Sequence, residues 1–147
     1  MIYVTNGCFD ILHLGHMKFL RALLMQMDCS DCLDVYVNSD KSVSSLKGVE
    51  RPILSESVRK DTLELFLSPL HNAVTITVCD DPLKMMRRTY TPGAGNVVYV
   101  KGDDAGLDGP EAKWMLESGF PVLSIPRTQG YSTSEIIARC NAQKQSS

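Results

Sequence analysis

Five short apolar runs, each followed by a polar or helix-like stretch, constrain this chain more than any other feature of its sequence. They are Ile2 to Thr5, Leu33 to Val37, Val74 to Val78, Val97 to Val100 and Val122 to Ile125. Runs this short, apolar and β-branched read as strands buried on both faces. From about Gly15 to Met27 the residues Met17, Leu20, Leu23, Leu24 and Met27 recur at helical spacing. Ser55 to Leu67 reads as a helix capped by Ser55, with Val58, Thr62, Leu65 and Phe66 on its inward face. Pro82 to Arg88, Pro110 to Ser118 and Ser132 to about Cys140 read as three more helices. Asn38 to Pro52, rich in Ser and Lys, reads as a polar loop, and residues from about 142 to 147 as a frayed tail. Strands alternating with helices imply an α/β fold, a doubly wound parallel five-stranded sheet with helices on both faces. With no repeat and no linker, the 147 residues fit one domain of roughly 100–200 residues.

Such folds bind ligands beyond the carboxyl ends of their strands. That rule points to residues 6–16, 38–51, 101–104 and 127–133. Composition narrows the ligand. The formal net charge is −2, so the chain lacks the basic excess that grips a polyanion, and no nucleic-acid partner is expected. No apolar run approaches the ~20 residues of a membrane span. The chain opens on Ile2-Tyr3-Val4 without the basic start of a signal peptide, so a cytoplasmic protein with no membrane partner is expected. The five cysteines are odd in number and irregularly placed. Cys29 and Cys32 have the spacing of a metal or redox pair, but no second pair completes a zinc site, and no metal ligand is assigned.

His13 and His16, two of three histidines, sit where the first strand gives way to the first helix, with Gly15 between them. A helix start offers unpaired N–H groups and a positive dipole end, which suit a phosphate. Two imidazoles beside it could donate to phosphoryl oxygens, and phosphoryl transfer needs positioning and charge stabilisation above all. The plainer alternative is a pair of surface histidines near a helix start.

The stretch from Thr5 to His16, Thr-Asn-Gly-Cys-Phe-Asp-Ile-Leu-His-Leu-Gly-His, resembles the long HxGH signature of the cytidylyltransferase-like nucleotidyltransferases. The resemblance covers about residues 2 to 140. It implies a Rossmann-like nucleotidyltransferase fold and transfer of a nucleotidyl group with release of pyrophosphate. Two kinds of member are similar. Val37-Asn38-Ser39-Asp40, Leu46-Lys47-Gly48, Arg51-Pro52 and Val100-Lys101-Gly102 resemble the heptose 1-phosphate adenylyltransferases. Gly102-Asp103-Asp104 and Arg127-Thr128-Gln129-Gly130 resemble glycerol-3-phosphate cytidylyltransferase, and Ser132-Thr133 is common to both.

Carried onto matching positions, the resemblance implies catalytic roles for His13, His16, Lys47 and Arg127. Thr5, Asn6 and Phe9 would line the nucleotide site, Gly102 and Asp103 would sit by the base, and Ser132 and Thr133 would hold the leaving pyrophosphate. Asp10, Asp40 and Arg59 would face the phosphorylated acceptor. Mg²⁺ would accompany the triphosphate, and a homodimer is one expectation by analogy. Each residue has a plainer reading: Lys47 a solvated charge, Ser132 a helix cap, Asp10 a local turn acceptor, and Arg59 an exposed partner of Glu56. The rival functions are a nucleotide-binding regulatory module without turnover, and a redox or metal protein built on Cys29 and Cys32.

Overall fold

A computed structural model of the chain describes residues 1–103 and 107–146. The elements run β1 (Ile2–Gly7), α1 (Leu14–Leu24), β2 (Cys32–Asn38), α2 (Asp40–Lys47), α3 (Glu56–Leu67) and β3 (Val74–Cys79). Then come α4 (Pro82–Thr89), β4 (Val97–Gly102), α5 (Pro110–Glu117), β5 (Val122–Ile125) and α6 (Thr133–Gln145). All four strand pairings are parallel, in the order β3-β2-β1-β4-β5. The chain leaves β3 for the far side of β1, so the order reverses between β1 and β4. This is the doubly wound sheet that the alternation predicts, Rossmann-like as the family resemblance implies, and the reversal opens a crevice at the carboxyl ends of β1 and β4.

Two apolar layers hold helices to the sheet. On one face Leu20 and Leu23 of α1 and Leu63 and Leu67 of α3 pack on Tyr3, Val35, Val37, Val98 and Val100. On the other, Met86 of α4 and Ala112 and Met115 of α5 pack on Val4, Tyr36, Val97 and Tyr99. Successive strand side chains point to opposite faces, so each strand feeds both layers.

Three expectations change. Asp40–Lys47 is a helix, not a loop: Ser39 caps it by accepting from the Ser42 N–H, and Val43 is its buried anchor. On α3 the inward positions are Arg59, Leu63 and Leu67, one turn apart. Val58 and Leu65 face out instead, at 44% and 78% exposure. Helix α6 runs on to Gln145, past the end expected near Cys140, with Ser132 accepting from the Glu135 N–H as its cap. Asp104 lies outside the described residues.

Candidate active site

The turn after β1 is built under strain. Phe9 and Ile11 have φ of 50° and 52°, a left-handed region that costs a non-glycine residue about 1–3 kcal/mol. Buried polar contacts hold the turn there. The Asp10 carboxylate, 1% exposed, accepts from the backbone N–H groups of Ile53 and Leu54 and from Arg51 Nε. Burial pushes that carboxyl up, but the two backbone donors and Arg51 outweigh it and hold it below its ordinary value. The Asp10 carbonyl accepts from the Thr133 hydroxyl, which ties the turn to α6. Arg59, also 1% exposed, donates to Cys8 O at 2.6 Å, Leu54 O at 3.0 Å and Asp40 Oδ1 at 2.9 Å.

His13 and His16 cap their own helix. His13 Nδ1 accepts from the N–H of Gly15 at 3.1 Å and of His16 at 3.4 Å, while His16 Nδ1 accepts from the His13 N–H at 3.4 Å. The rings stack, with centroids 3.8 Å apart. A neutral imidazole whose Nδ1 accepts must carry its proton on Nε2. The reciprocal cap therefore fixes both rings as Nε2–H donors. Burial, then the charges of His13 and Lys47, drives His16 down to about 3. Burial, then Arg127, also lowers His13. Both rings act as neutral donors at neutral pH. Gly15 is required here because a Cβ would lie 2.9 Å from His13 Cε1 and 3.1 Å from Tyr131 O.

Above the crevice is an open cavity of about 650 Å³, a volume that fits a small-molecule site. Its lining brings together Thr5, Asn6, Phe9, His13, His16, Lys47, Gly102, Arg127, Ser132 and Thr133, drawn from four separate segments. Lys47 arrives on the last turn of α2, and Ser132 and Thr133 on the first turn of α6. Asp103 is outside the lining; its carboxylate accepts from the Arg127 N–H at 2.8 Å and so shapes the β5–α6 loop. Asp10, Asp40 and Arg59 are also outside it. Asp10 and Arg59 spend their polar atoms inside the protein, the first across more than forty residues and not in a local turn, the second on Asp40 and not on Glu56. Glu56 instead accepts from the Asp40 N–H.

Sequence reasoning assigned no role to Lys101, Glu111, Asn38 or Tyr131, all of which line the cavity. Strand alternation could have found two of them, since Lys101 follows Tyr99 and Asn38 follows Tyr36 at a spacing of two. The cysteines at 29 and 32 are exposed and free, and among the described residues no group of three or more His, Cys, Asp or Glu could hold a metal ion. No helix among the described residues is long and apolar enough to cross a membrane.

Comparison with known proteins identifies the family. The profile of the cytidylyltransferase-like family matches residues 4–139. The chain is 36% identical over 139 residues to the bifunctional protein HldE of Koribacter versatilis, covering 94% of this chain and 26% of that one. It is 39% identical over 146 residues to HldE of Hyphomonas neptunium, covering 95% and 27%. The chain thus spans about a quarter of the length of these relatives. Among solved structures, the fold is similar to a putative nicotinate-nucleotide adenylyltransferase from Vibrio parahaemolyticus, with TM-score 0.59, 16% identity, and 96% and 81% of the two chains covered. It is also similar to a protein of unknown function from Archaeoglobus fulgidus, with TM-score 0.66, 14% identity, and 90% and 94% covered. On the family match across nearly its whole length, the chain belongs to the cytidylyltransferase-like family and is a nucleotidyltransferase.

Proposed function

We propose that the chain transfers a nucleotidyl group from a nucleoside triphosphate to the phosphate of a small sugar or polyol. One observation carries this reading: the reciprocal histidine cap, which leaves Nε2–H as the donor of each ring in a cavity that both histidines line together with Lys47, Arg127 and the start of α6. Those are donors for phosphate oxygens. An acceptor phosphate oxygen attacks the α-phosphorus, forming a P–O bond. The bond from the α-phosphorus to the bridging oxygen of the β-phosphate breaks in line, and pyrophosphate leaves with the electron pair. His13 and His16 stabilise charge on the α-phosphoryl oxygens, where preorganised donors act most strongly. Lys47 neutralises the bridging region, and Arg127, Ser132 and the N-terminal N–H groups of α6 receive the pyrophosphate.

The donor set around the phosphate site consists of imidazole, ammonium, guanidinium and hydroxyl groups. It does not fit a protein-held cation, so Mg²⁺ would travel on the triphosphate with water as its remaining ligands. The stretches resembling heptose 1-phosphate adenylyltransferases put ATP and heptose 1-phosphate first, with CTP and glycerol 3-phosphate second. The test is a pyrophosphate-release screen crossing ATP and CTP with both acceptors in the presence of Mg²⁺. Release with one pair supports the reading, and no release with any pair overturns it.

A further inference from the structure

Strand alternation divides the cavity into two halves of different chemistry. On β1, Tyr3 packs in the α1–α3 layer and Val4 in the α4–α5 layer, so Thr5 continues the first face and Asn6 the second. On β2, Val37 lies in the first layer and Tyr36 in the second, which places Asn38 on the second. On β4, Val100 lies in the first and Tyr99 in the second, which places Lys101 on the second. The Tyr99 hydroxyl donates to Asn6 Oδ1, as residues sharing a face must be able to do. Helix α5 packs on this second face through Ala112 and Met115 and brings Glu111 with it. Its charge is close enough to act on two groups beneath it. Burial first, then Glu111, raises the Tyr99 hydroxyl, and burial with Asp81 and Asp80, aided by Glu111, pushes the Cys79 thiol up to about 11.

The histidines and α1 belong to the first face. The α6 start adjoins them, because Tyr131 O lies 3.1 Å from the Cβ position of Gly15 and the Arg127 charge acts on His13. The phosphate donors of the proposed transfer gather there, with Lys47 close enough for its charge to act on His16. The second face has a different set. Asn6 has its oxygen engaged by Tyr99 and keeps its amide N–H groups, whereas Asn38 donates to Ser42 Oγ at 2.9 Å and keeps its oxygen. Glu111 Oε2 and Lys101 Nζ lie 3.7 and 3.9 Å from the Cβ position of Gly109, and neither appears among the ion pairs of the described residues. An amide donor, an amide acceptor, a carboxylate and one ammonium around a common space match a compound with several hydroxyls and one phosphate.

We propose that Asn6, Asn38, Lys101 and Glu111 form the acceptor subsite and select a phosphorylated polyhydroxyl compound. Lys101 takes its phosphate, and Glu111 with the two amides takes its hydroxyls. This inference rests on the nucleotidyl-transfer reading for what occupies the other half. It replaces Asp10, Asp40 and Arg59 as the acceptor contacts.

The experiment varies each substrate separately on the full chain. Glu111→Gln and Lys101→Met are expected to raise the KM for the acceptor about tenfold, the size of one hydrogen bond to a charged group. The KM for the triphosphate should stay within about twofold. Ser132→Ala should show the opposite pattern. An unchanged acceptor KM, or a triphosphate KM that rises instead, overturns the assignment. If the wild-type chain releases no pyrophosphate at all, the transfer reading fails by that result alone. The subsite is then read by amide NMR on ¹⁵N-labelled chain saturated with α,β-methylene-ATP and titrated with glucose 1-phosphate or glycerol 3-phosphate. Shifts at Asn6, Lys101 and Glu111 support the subsite. Shifts confined to α1 and α6, or no shifts with either phosphate, overturn it.

Discussion

Replacing Arg59 by Met separates a staple from a ligand contact. Met keeps much of the aliphatic volume while removing every donor. The Cys8 and Leu54 carbonyls then lose donors at 2.6 and 3.0 Å inside the protein. Each orphaned buried acceptor costs about 1–3 kcal/mol. Asp40 adds little, because its side chain is 44% exposed and regains water. The sum is about 3 kcal/mol, the lower end of what breaking a buried ion pair costs. For a chain of this size that lowers Tm by roughly 6–12 °C. Differential scanning calorimetry measures it directly. Turnover should fall with stability, because the Cys8–Phe9 turn loosens under both substrates, and both KM values should move together. Arg59→Lys should recover only part of the loss, since an ammonium cannot span three acceptors. A Tm within about 2 °C of wild type, with only the acceptor KM raised, would refute the staple.

Other consequences follow from the histidine pair and its surroundings. His16→Ala should lower kcat by about tenfold or more while the sheet stays folded by circular dichroism; equal turnover would remove its donor role. Gly15→Ala gains helix propensity but forces a Cβ against the His13 ring and the Tyr131 carbonyl. The clash should win, lowering both Tm and kcat, and an active, more stable variant would contradict the cap geometry. The unfolded chain takes up protons at the ordinary histidine value of 6.5, whereas folded His16 does so only near 3. Native stability is therefore complete above about 6.5 and is lost as pH falls through that window, because acid favours the chain that binds more protons. A Tm that stays flat from pH 7 to 5 would argue against the buried neutral pair. Exchanging Cys29 and Cys32 for Ser should leave turnover unchanged, since both are exposed and free; lost activity would revive a redox or metal role.

The strands were legible because β-branched runs between polar breaks have few other solutions, and β5 begins and ends where the sequence places it. Helix α2 was hidden because Asp40–Lys47 contains three serines and one buried residue, so its apolar period is almost silent. The face of α3 was misread for a related reason. Hydrophobic spacing assigns Val58 and Leu65 inward, but the turn after β1 needs a guanidinium, and Arg59 holds the inward line with Leu63 and Leu67. The phosphate half of the site was legible because a contiguous motif carries most of it. The other half is scattered as single residues: Asn6, Asn38 and Lys101 stand at strand ends that only the general strand-end rule marks, and Glu111 sits on α5, where no strand pattern reaches it.

The mutual cap of His13 and His16 has an evolutionary corollary. Each ring satisfies backbone donors at the start of α1, so losing either one frays the helix as well as slowing the chemistry. A descendant that abandoned turnover would still be under pressure to keep the pair in order to fold. Lys47 carries no such structural duty at its side chain, and Lys101 joins no ion pair among the described residues. Those two positions should drift first. Across a set of related sequences, loss of the lysines would mark chains that have given up turnover earlier than loss of the histidines, because the histidines serve the fold as well as the chemistry.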